Sequence, residues 1–318
     1  MVSRSPRLGY ALVVLGAVLF VVNAGVSRVL LRAGLTPAEL TSLRVTGTVV
    51  CLGLLMALAR PGTLRPPRGR TLLLMVALGL SGVALVQWAY FVAIDRLAIG
   101  MALLLEYTAP ILVALWARFV QKEQVRPRLW YALALSIVGL AMIAQIWHGF
   151  VLDPIGVAAG FLAAIAFAAY YLLSEHGVSR LDPLTVFFWS FAVAAIALNL
   201  VSPVTSLDWA AAGTSVSLLG ALAEFSAPVW ALLLWVVVPG TLMPFGCTIY
   251  ALSHLRATTV TTVAFLEPVG ATALGWAWFG ESLNGVQCVG GALVLTGILL
   301  AASARSAHPT FEPTPVVT

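Results

Sequence analysis

The chain has 318 residues, of which 61% are hydrophobic and only 9% are charged, and its mean hydropathy is +1.02. About 25% of the residues of a soluble domain are charged, so this composition excludes an ordinary soluble protein and indicates a polytopic membrane protein. The formal net charge of +5 does not call for a nucleic-acid partner, because the basic residues concentrate in loops between apolar runs.

Continuous apolar runs predict membrane-spanning helices. The first run follows Arg4 and Arg7 and is longer than the roughly 7 to 15 apolar residues of a secretory signal, so we interpret it as an uncleaved first span. About 20 apolar residues cross a bilayer, and runs that do not alternate exclude a β-barrel. The sequence therefore predicts an all-α polytopic membrane protein with ten transmembrane helices, at 8–31, 38–59, 71–94, 98–120, 129–147, 154–173, 183–204, 229–252, 258–279 and 285–303.

The basic residues predict how these spans are oriented. With a cytoplasmic N-terminus, 13 of the 17 Lys and Arg residues fall on the cytoplasmic side and 4 on the other. This excess follows the positive-inside rule and predicts a multi-pass protein of the inner (plasma) membrane with both termini in the cytoplasm. Residues 304–318 have no hydrophobic periodicity and are predicted to form a disordered cytoplasmic tail.

A spaced pattern, Pro-x12-Glu-x15-Gly, occurs twice in the chain with an offset of 158 residues. It consists of Pro110, Glu123 and Gly139, and then of Pro268, Glu281 and Gly297. Each half contains five predicted spans, and an odd number of crossings inverts the second copy relative to the first. The predicted domains are therefore two inverted five-helix repeats, 8–147 and 154–303.

An insertion distinguishes the second repeat. Leu35 and Pro37 match Leu181 and Pro183 at an offset of 146, so the later offset of 158 requires 12 additional residues. They fall within 205–228, which is predicted to form either a lid or a loop without a function of its own.

These features resemble the paired EamA domains of the drug/metabolite transporter superfamily. The second copy is the more similar, from Phe265-Leu266-Glu267-Pro268 through Gly280-Glu281 to Gly297. The first copy departs from the pattern at Lys122, where the family has a small residue before the glutamate. The resemblance covers residues 10–302 and implies a ten-span secondary transporter. Members of the superfamily export amino acids, other metabolites and drugs.

The leading hypothesis is an exporter of small metabolites such as amino acids, which works by alternating access around a mid-membrane cavity. Drug or amine efflux by the same fold is the alternative. The expected partners are a small-molecule substrate, the lipid bilayer and, as a candidate coupling ion, protons. No cofactor is predicted, because the chain has no G-x-x-x-x-G-K-[ST] motif for ATP.

Two further classes of function are less favoured. An intramembrane enzyme would need a nucleophile and base, or metal ligands, within the spans, and the four histidines lie outside them. No H-E-x-x-H motif or other metal framework is present, so neither catalytic nor metal-binding residues are assigned. A non-transporting membrane protein would have no polar residues at mid-membrane.

Glu106 and Glu267 are the acidic residues predicted to lie deepest in the bilayer. Acids at this depth usually face the interior of a helix bundle and mark a substrate or proton path. We expect at least one of them to carry protons or to bind an amine, with Tyr107 beside Glu106. The alternative is a neutral carboxyl group that binds a carbonyl of a neighbouring helix.

Pro110 and Pro268 lie in the middle of the fourth and ninth spans. A proline inside a helix frees the carbonyl four residues earlier, here those of Glu106 and Ala264. Because a free carbonyl in a membrane requires protein or water around it, both helices are predicted to line a cavity. Simple packing kinks are the alternative. Glu123 and Glu281, at the ends of these spans, are predicted to be structural.

Four other polar or aromatic residues are candidates for the substrate pathway. Asn23 suits either close packing or a cavity wall. Arg44 can extend towards the membrane surface, pair with Glu106 or Glu267, or hold a substrate carboxylate, and an arginine here also resembles the family's pattern. Gln87 and Trp88 can bind substrate or belong to an aromatic belt at the membrane surface.

Tyr170 and Tyr171 lie near the end of the predicted sixth span, at 154–173. Tyrosines are enriched where a span meets the membrane surface. We therefore assign both residues to the aromatic belt and not to a binding site.

Overall fold

The structure is a computed structural model that describes residues 5–59, 64–96, 102, 105–122, 127–143, 145–148, 153–207, 209–280 and 284–303. Its helices are α1 (Pro6–Arg32), α2 (Pro37–Ala59), α3 (Arg70–Ala77), α4 (Val86–Arg96), α5 (Ala109–Phe119), α6 (Pro127–Ile143), α7 (Pro154–Val178), α8 (Pro183–Val201), α9 (Val229–Val237), α10 (Met243–Leu252), α11 (Ala257–Val263), α12 (Leu266–Phe279) and α13 (Gly285–Ser303).

Six helical stretches among the described residues are long and apolar enough to cross a membrane, and α5, α6 and α13 are shorter apolar helices. The fourth predicted span contains α5, and the ninth contains α11 and α12. Helices therefore lie in all ten predicted spans. The prediction of an all-α polytopic membrane protein is confirmed.

The third and eighth spans each contain a π-helical segment. The first π segment, Leu78–Leu85, joins α3 to α4, and the second π segment, Val238–Leu242, joins α9 to α10. At the offset of 158 the first segment corresponds to residues 236–243, so the two segments occupy equivalent places in the two repeats. Such wide turns occur frequently at functional sites.

Each π segment contains a glycine that the first helix of the opposite half approaches closely. Tyr170 of α7 lies against Gly82, and Asn23 of α1 lies against Gly240. A side chain at either glycine would occupy the space of the approaching residue. The two halves therefore interlock, and each inserts its first helix against the third span of the other.

The fourth and ninth spans are broken, where the sequence predicted continuous helices with a kink. Tyr107 and Thr108 form a turn before α5, and Ala264 and Phe265 separate α11 from α12. Proline fits the first turn of a helix because the amides there have no intrahelical acceptor, so it favours a restart of the helix at this point. The prediction that the Ala264 carbonyl is free is wrong, because this carbonyl accepts a hydrogen bond from the Glu267 amide at 2.9 Å.

α6 and α13, the fifth helices of the two halves, cross with their backbones in close approach. A Cβ atom on Gly139 would lie 2.5 Å from the carbonyl oxygen of Gly290, and one on Gly290 would lie 2.6 Å from that of Gly139. Gly297 also lies against the backbone of α6. Small residues allow this approach in lipid. The two glutamates of the repeated pattern, Glu123 and Glu281, lie outside the described residues.

The insertion in the second half forms a small β-hairpin. Strand β1 (Ser215–Ser217) pairs antiparallel with β2 (Ser226–Pro228). The hairpin packs on the end of α12, where the Trp278 indole N–H donates to the carbonyl of Leu218 at 3.0 Å. Gly220, with φ of +52°, lies against the carbonyl of Trp278. The insertion is therefore an ordered part of the fold that is attached to the ninth span.

Candidate functional site

The two broken spans bring together Glu106, Tyr107 and Glu267, which we call the acidic cluster. The Tyr107 hydroxyl donates to Oε2 of Glu267 at 2.8 Å, and this bond joins residues 160 positions apart, one from each half. Glu106 is 8% exposed and Tyr107 5% exposed, while Glu267 is half-buried. The acid of the second half thus binds a tyrosine hydroxyl and not the helix carbonyl that was the alternative.

The local structure explains how these residues reach one another. Glu267 lies in the first turn of α12, where the helix dipole favours an acidic side chain. Glu106 lies immediately before the turn that precedes α5. Glu106 adjoins Tyr107, which binds Glu267, so both carboxyl groups belong to one region of the interior. Two acids in the same apolar region suit a site that shares a proton or a cation.

Aromatic rings surround this acidic pair. The Tyr107 ring lies 5.7 Å from that of Phe265 and 6.2 Å from that of Phe167, measured between centroids. Phe167 in turn lies 4.9 Å from Tyr171. The hydroxyl of Tyr170 is buried and has no hydrogen-bond partner among the described residues. The surroundings of the acids are therefore apolar walls with a few phenolic hydroxyls.

The assignment of Tyr170 and Tyr171 to an aromatic belt is wrong, because they are 1% and 3% exposed in the structure. The sixth span was predicted to end at residue 173, but α7 continues to Val178. The additional residues move both tyrosines away from the end of the helix and into the bundle. The small residues that precede them, such as Ala163 and Ala166, are a sequence signal for close packing on this helix.

Arg44 is directed towards the second half. Its Nε donates to the hydroxyl of Thr241 at 3.2 Å, and Thr241 is fully buried in the second π segment. Within the described part of the chain, Arg44 forms no ion pair with Glu106 or Glu267. Of the alternatives for Arg44, an ion pair with Glu106 or Glu267 is not what the structure has.

Asn23 is 4% exposed and lies against Gly240, which precedes Thr241. Its Oδ1 has no hydrogen-bond partner among the described residues. Asn23 and Arg44, from α1 and α2, therefore meet the same π segment. Sequence reasoning selected both residues but had no way to place them together.

Gln87 and Trp88 lie elsewhere. They line a largely apolar cleft of about 270 Å³ between α2, the third span and α8. The lining of this cleft includes none of Glu106, Tyr107 and Glu267. Trp88 is 54% exposed, as a residue of an aromatic belt would be. The structure therefore does not join these two residues to the acidic cluster.

The prolines of the repeat stand beside the cluster. Pro110 and Pro268 are both buried in the first turn of the helix that follows each break.

Across the described residues, no group of three or more His, Cys, Asp and Glu side chains could hold a metal ion. The chemistry of the site consists of carboxyl, phenol, guanidinium and amide groups.

The fold and these intramembrane polar groups define the class of a polytopic helical membrane transporter. The family model described as the EamA-like transporter family matches residues 7–145 and 154–303. The chain belongs to this family. A crystal structure with 18% sequence identity has the same fold, with a TM-score of 0.72 over 96% of this chain and 100% of that chain.

Curated relatives are also transporters. The threonine/homoserine exporter RhtA of Salmonella typhimurium is 28% identical over 273 residues, which cover 85% of this chain and 83% of that protein. An uncharacterized transporter of Archaeoglobus fulgidus is 26% identical over 232 residues, or 73% of this chain and 76% of that protein. The uncharacterized transporter YdfC of Bacillus subtilis is 24% identical over 84% of this chain and 83% of that protein.

Proposed function

We propose that this chain exports small metabolites, amino acids foremost, by alternating access of its two halves around a mid-membrane site. The observation that carries the proposal is the hydrogen bond between Tyr107 and Glu267, with the buried Glu106 next to Tyr107 in the chain. It connects the breaks of two broken spans from opposite halves. A site at such a junction is remade whenever one half rocks against the other.

The acids have a direct role in this proposal. Glu267 accepts the ammonium group of the substrate when the Tyr107 hydroxyl gives way, and Glu106 keeps the local field negative. Discontinuous helices at the interface of inverted repeats are a recurrent way to build such sites. Protons are the proposed coupling ion, because a carboxyl group in an apolar interior binds either a proton or a cation.

An amino-acid substrate is supported by the relatives named threonine/homoserine exporters. We propose that the protein lies in the inner membrane in the orientation that its basic residues favour. Both termini are then in the cytoplasm. In this orientation α1 and α12 end on the outer side.

The test is metabolite profiling of the medium of cells that overproduce the chain. We expect threonine, homoserine or related amino acids to accumulate outside the cells, and Glu267→Gln to return them to the level of cells without the protein. Glu224→Gln is the matched control, since this exposed residue lies in the hairpin insertion. Export at the full rate by both Glu106→Gln and Glu267→Gln would exclude the proposed site.

Amine or drug efflux is the second candidate, and the aromatic rings around the acids favour it. Aromatic faces attract cations, so Tyr107, Phe167 and Phe265 also suit an amine that has no carboxylate. Resistance of the same cells to cationic drugs distinguishes the two candidates. Drug resistance that depends on Glu267, without amino-acid export, would support efflux of amines.

A further inference from the structure

The segment between α8 and α9, which contains the insertion of the second half, crosses one end of the helix bundle. Its described residues are 204–207 and 209–228, and we call them the strap. Near its start, at Val204–Ser206, the strap contacts α2 of the first half. Further on, at Gly220–Leu222, it contacts α12 of the second half. The strap therefore reaches helices of both halves, at the end of the bundle where α1 and α12 end.

Side-chain hydrogen bonds fix the strap at both contacts. At its start, the amide of Val204 donates to Oδ1 of Asn199 at 3.0 Å, and Nδ2 of this asparagine donates to the hydroxyl of Thr46 in α2 at 2.7 Å. At the other contact, the Trp278 indole N–H donates to the carbonyl of Leu218. The strap is thus tied to one helix of each half.

Between these anchors, the strap is held together by its own hydrogen bonds. β1 pairs with β2, and beyond this pair the amide of Val229 donates to the carbonyl of Thr214 at 2.9 Å. Inside the hairpin, Oγ of Ser217 donates to the carbonyl of Ala223 at 2.8 Å. Because a hairpin with such internal bonds moves as a unit, a displacement of one anchored helix relative to the other must break an anchor.

Under the strap lies an apolar plug, a cluster of buried side chains to which both halves contribute. The first half supplies residues of α1 and α2, and the second half supplies residues of α9: Val26, Val29, Leu30, Leu40, Val229, Leu232 and Val236. Val216, Leu218 and Leu219 of the strap pack against the plug. The two halves are therefore in apolar contact at this end of the bundle.

Trp278 connects the strap with the first half. A Cβ atom on Gly25 of α1 would lie 2.5 Å from Cζ3 of the Trp278 ring, on the edge away from the indole N–H. The Trp278 ring stacks on that of Phe279, and the Arg28 guanidinium of α1 lies 4.6 Å from the centroid of the Phe279 ring. The strap thus holds one edge of the indole, while α1 lies against the other.

We propose that the strap is a latch, which keeps this end of the bundle closed until it releases Trp278. The inference rests on the alternating access of the proposed function, but not on its amino-acid substrate. The equivalent connection of the first half, 60–70, is shorter by the 12 residues of the insertion, so the latch belongs to one end of the bundle. In the proposed orientation this end faces the outside, where a latch keeps exported substrate from returning.

The experiment measures how fast a membrane-impermeant thiol reagent labels single cysteines of the full chain in lipid nanodiscs, in which both faces of the protein meet the reagent. One reporter is Val26→Cys, in the plug. The other is Val13→Cys, which is also buried and lies towards the opposite end of α1. Both are introduced after the native cysteines have been replaced by alanine, at Cys51, Cys247 and Cys288.

Gly220→Ala should loosen the latch. Gly220 has φ of +52° and lies against the carbonyl of Trp278, so an alanine there is strained and displaces the strap from α12. We expect labelling of Val26→Cys to become about tenfold faster and that of Val13→Cys to stay the same. Gly213→Ala is the matched control, because it lies in the same segment and no heavy atom lies within 4 Å of a Cβ there.

Trp278→Phe is the second variant, and it decides the question if Gly220→Ala does not fold. It removes the hydrogen bond to Leu218 and should make labelling of Val26→Cys about fivefold faster.

Faster labelling that is confined to the plug supports the latch. An unchanged rate at Val26→Cys in the folded variant overturns it. Equal acceleration at Val26→Cys and Val13→Cys also overturns it, because the variant would then loosen the whole bundle. Labelling requires no substrate, so its result stands whether or not the cells export amino acids, and the two proposals can fail separately.

Discussion

The two halves of the molecule share a scaffold down to individual contacts between helices. In the α6–α13 crossing, Gly139 lies against Gly290, and Gly297 lies against Ala132. At the offset of 158, Gly139 corresponds to Gly297 and Ala132 to Gly290, so the second contact repeats the first. An inverted repeat packed about a twofold axis in the membrane plane requires this equivalence.

A second pair of contacts repeats in the same way. Gly47 of α2 lies against Val237, and Gly79 of the first π segment lies against Val193. Gly47 and Val193 correspond at the offset of 146, and Gly79 and Val237 correspond at 158. In both contacts the glycine lies in the first half and the valine in the second, so the two residue types have exchanged equivalent positions of the repeat. Close approach of these helices is thus a property of the fold that both halves share, whichever of the two positions has the glycine.

The polar groups do not follow this symmetry. In each case a residue that carries chemistry corresponds to a small or apolar residue: Glu106 to Ala264, Tyr107 to Phe265, Glu267 to Ala109, Asn23 to Ala169 and Arg44 to Ser190. Identical halves would give two conformations of equal free energy. Unlike side chains remove that equality, so in the proposed alternating-access mechanism the symmetric scaffold would supply the movement and the asymmetric residues its bias and its specificity.

The largest expected effect is on the symmetric scaffold. Gly139→Ala and Gly297→Ala should each lower the free energy of unfolding by about 3 kcal/mol, because the new Cβ atom would meet a backbone oxygen of the facing helix. Thermal unfolding of the purified protein in detergent measures this. Gly285→Ala in α13 is the control, since no heavy atom lies within 4 Å of a Cβ there. A large effect at one position and none at the other would contradict the equivalence of the two contacts.

The second crossing should show a graded effect. A Cβ on Gly79 would lie 2.5 Å from the carbonyl oxygen of Ser190, whereas one on Gly47 would meet only the side chain of Val237 at 2.6 Å. Side chains can adjust and backbones cannot, so we expect destabilisation by about 2 kcal/mol for Gly79→Ala and about 1 kcal/mol for Gly47→Ala. The same thermal measurement applies. The reverse order would show that the first π segment is the more adaptable partner.

Tyr107→Phe tests the asymmetric residues. The hydroxyl orients the Glu267 carboxyl group before the substrate replaces it, so its loss should slow export about tenfold, equivalent to about 1.4 kcal/mol. Transport of labelled threonine into vesicles, normalised to protein content, measures it. In the double variant Tyr107→Phe with Phe265→Tyr, the hydroxyl moves to the corresponding position of the other half. We expect no recovery, and recovery would mean that the two halves are interchangeable at the site.

The smallest effect concerns the hairpin, a feature of the second half alone. Trp278→Phe removes the hydrogen bond to Leu218 and should cost about 1 kcal/mol of local stability, or roughly fivefold faster proteolysis between β1 and β2. Trp276→Phe is the matched control, because Trp276 is 58% exposed and two residues away on another face. Equal cleavage of both variants would show that the indole bond does not hold the hairpin.

Local sequence features predicted much of the fold. Apolar runs located the six longest helical stretches within a few residues, because the bilayer requires about 20 apolar residues in each span. The repeat of Pro110 and Pro268 marked the places where the fourth and ninth spans are broken, although a kink was expected and a restart of the helix occurs. The error at Tyr170 and Tyr171 also has a local origin, since the apolar run ends before α7 does.

The sequence by itself determined the class of protein and its two repeats, and it predicted ten spans, their inversion and acids at mid-membrane. Only the tertiary structure decided that Tyr107 binds Glu267, that Arg44 turns to Thr241 and that Gln87 and Trp88 lie apart from them. The physical reason is that membrane helices are apolar on most faces, so periodicity does not identify the face that turns inward. That choice depends on packing between helices that are distant in sequence.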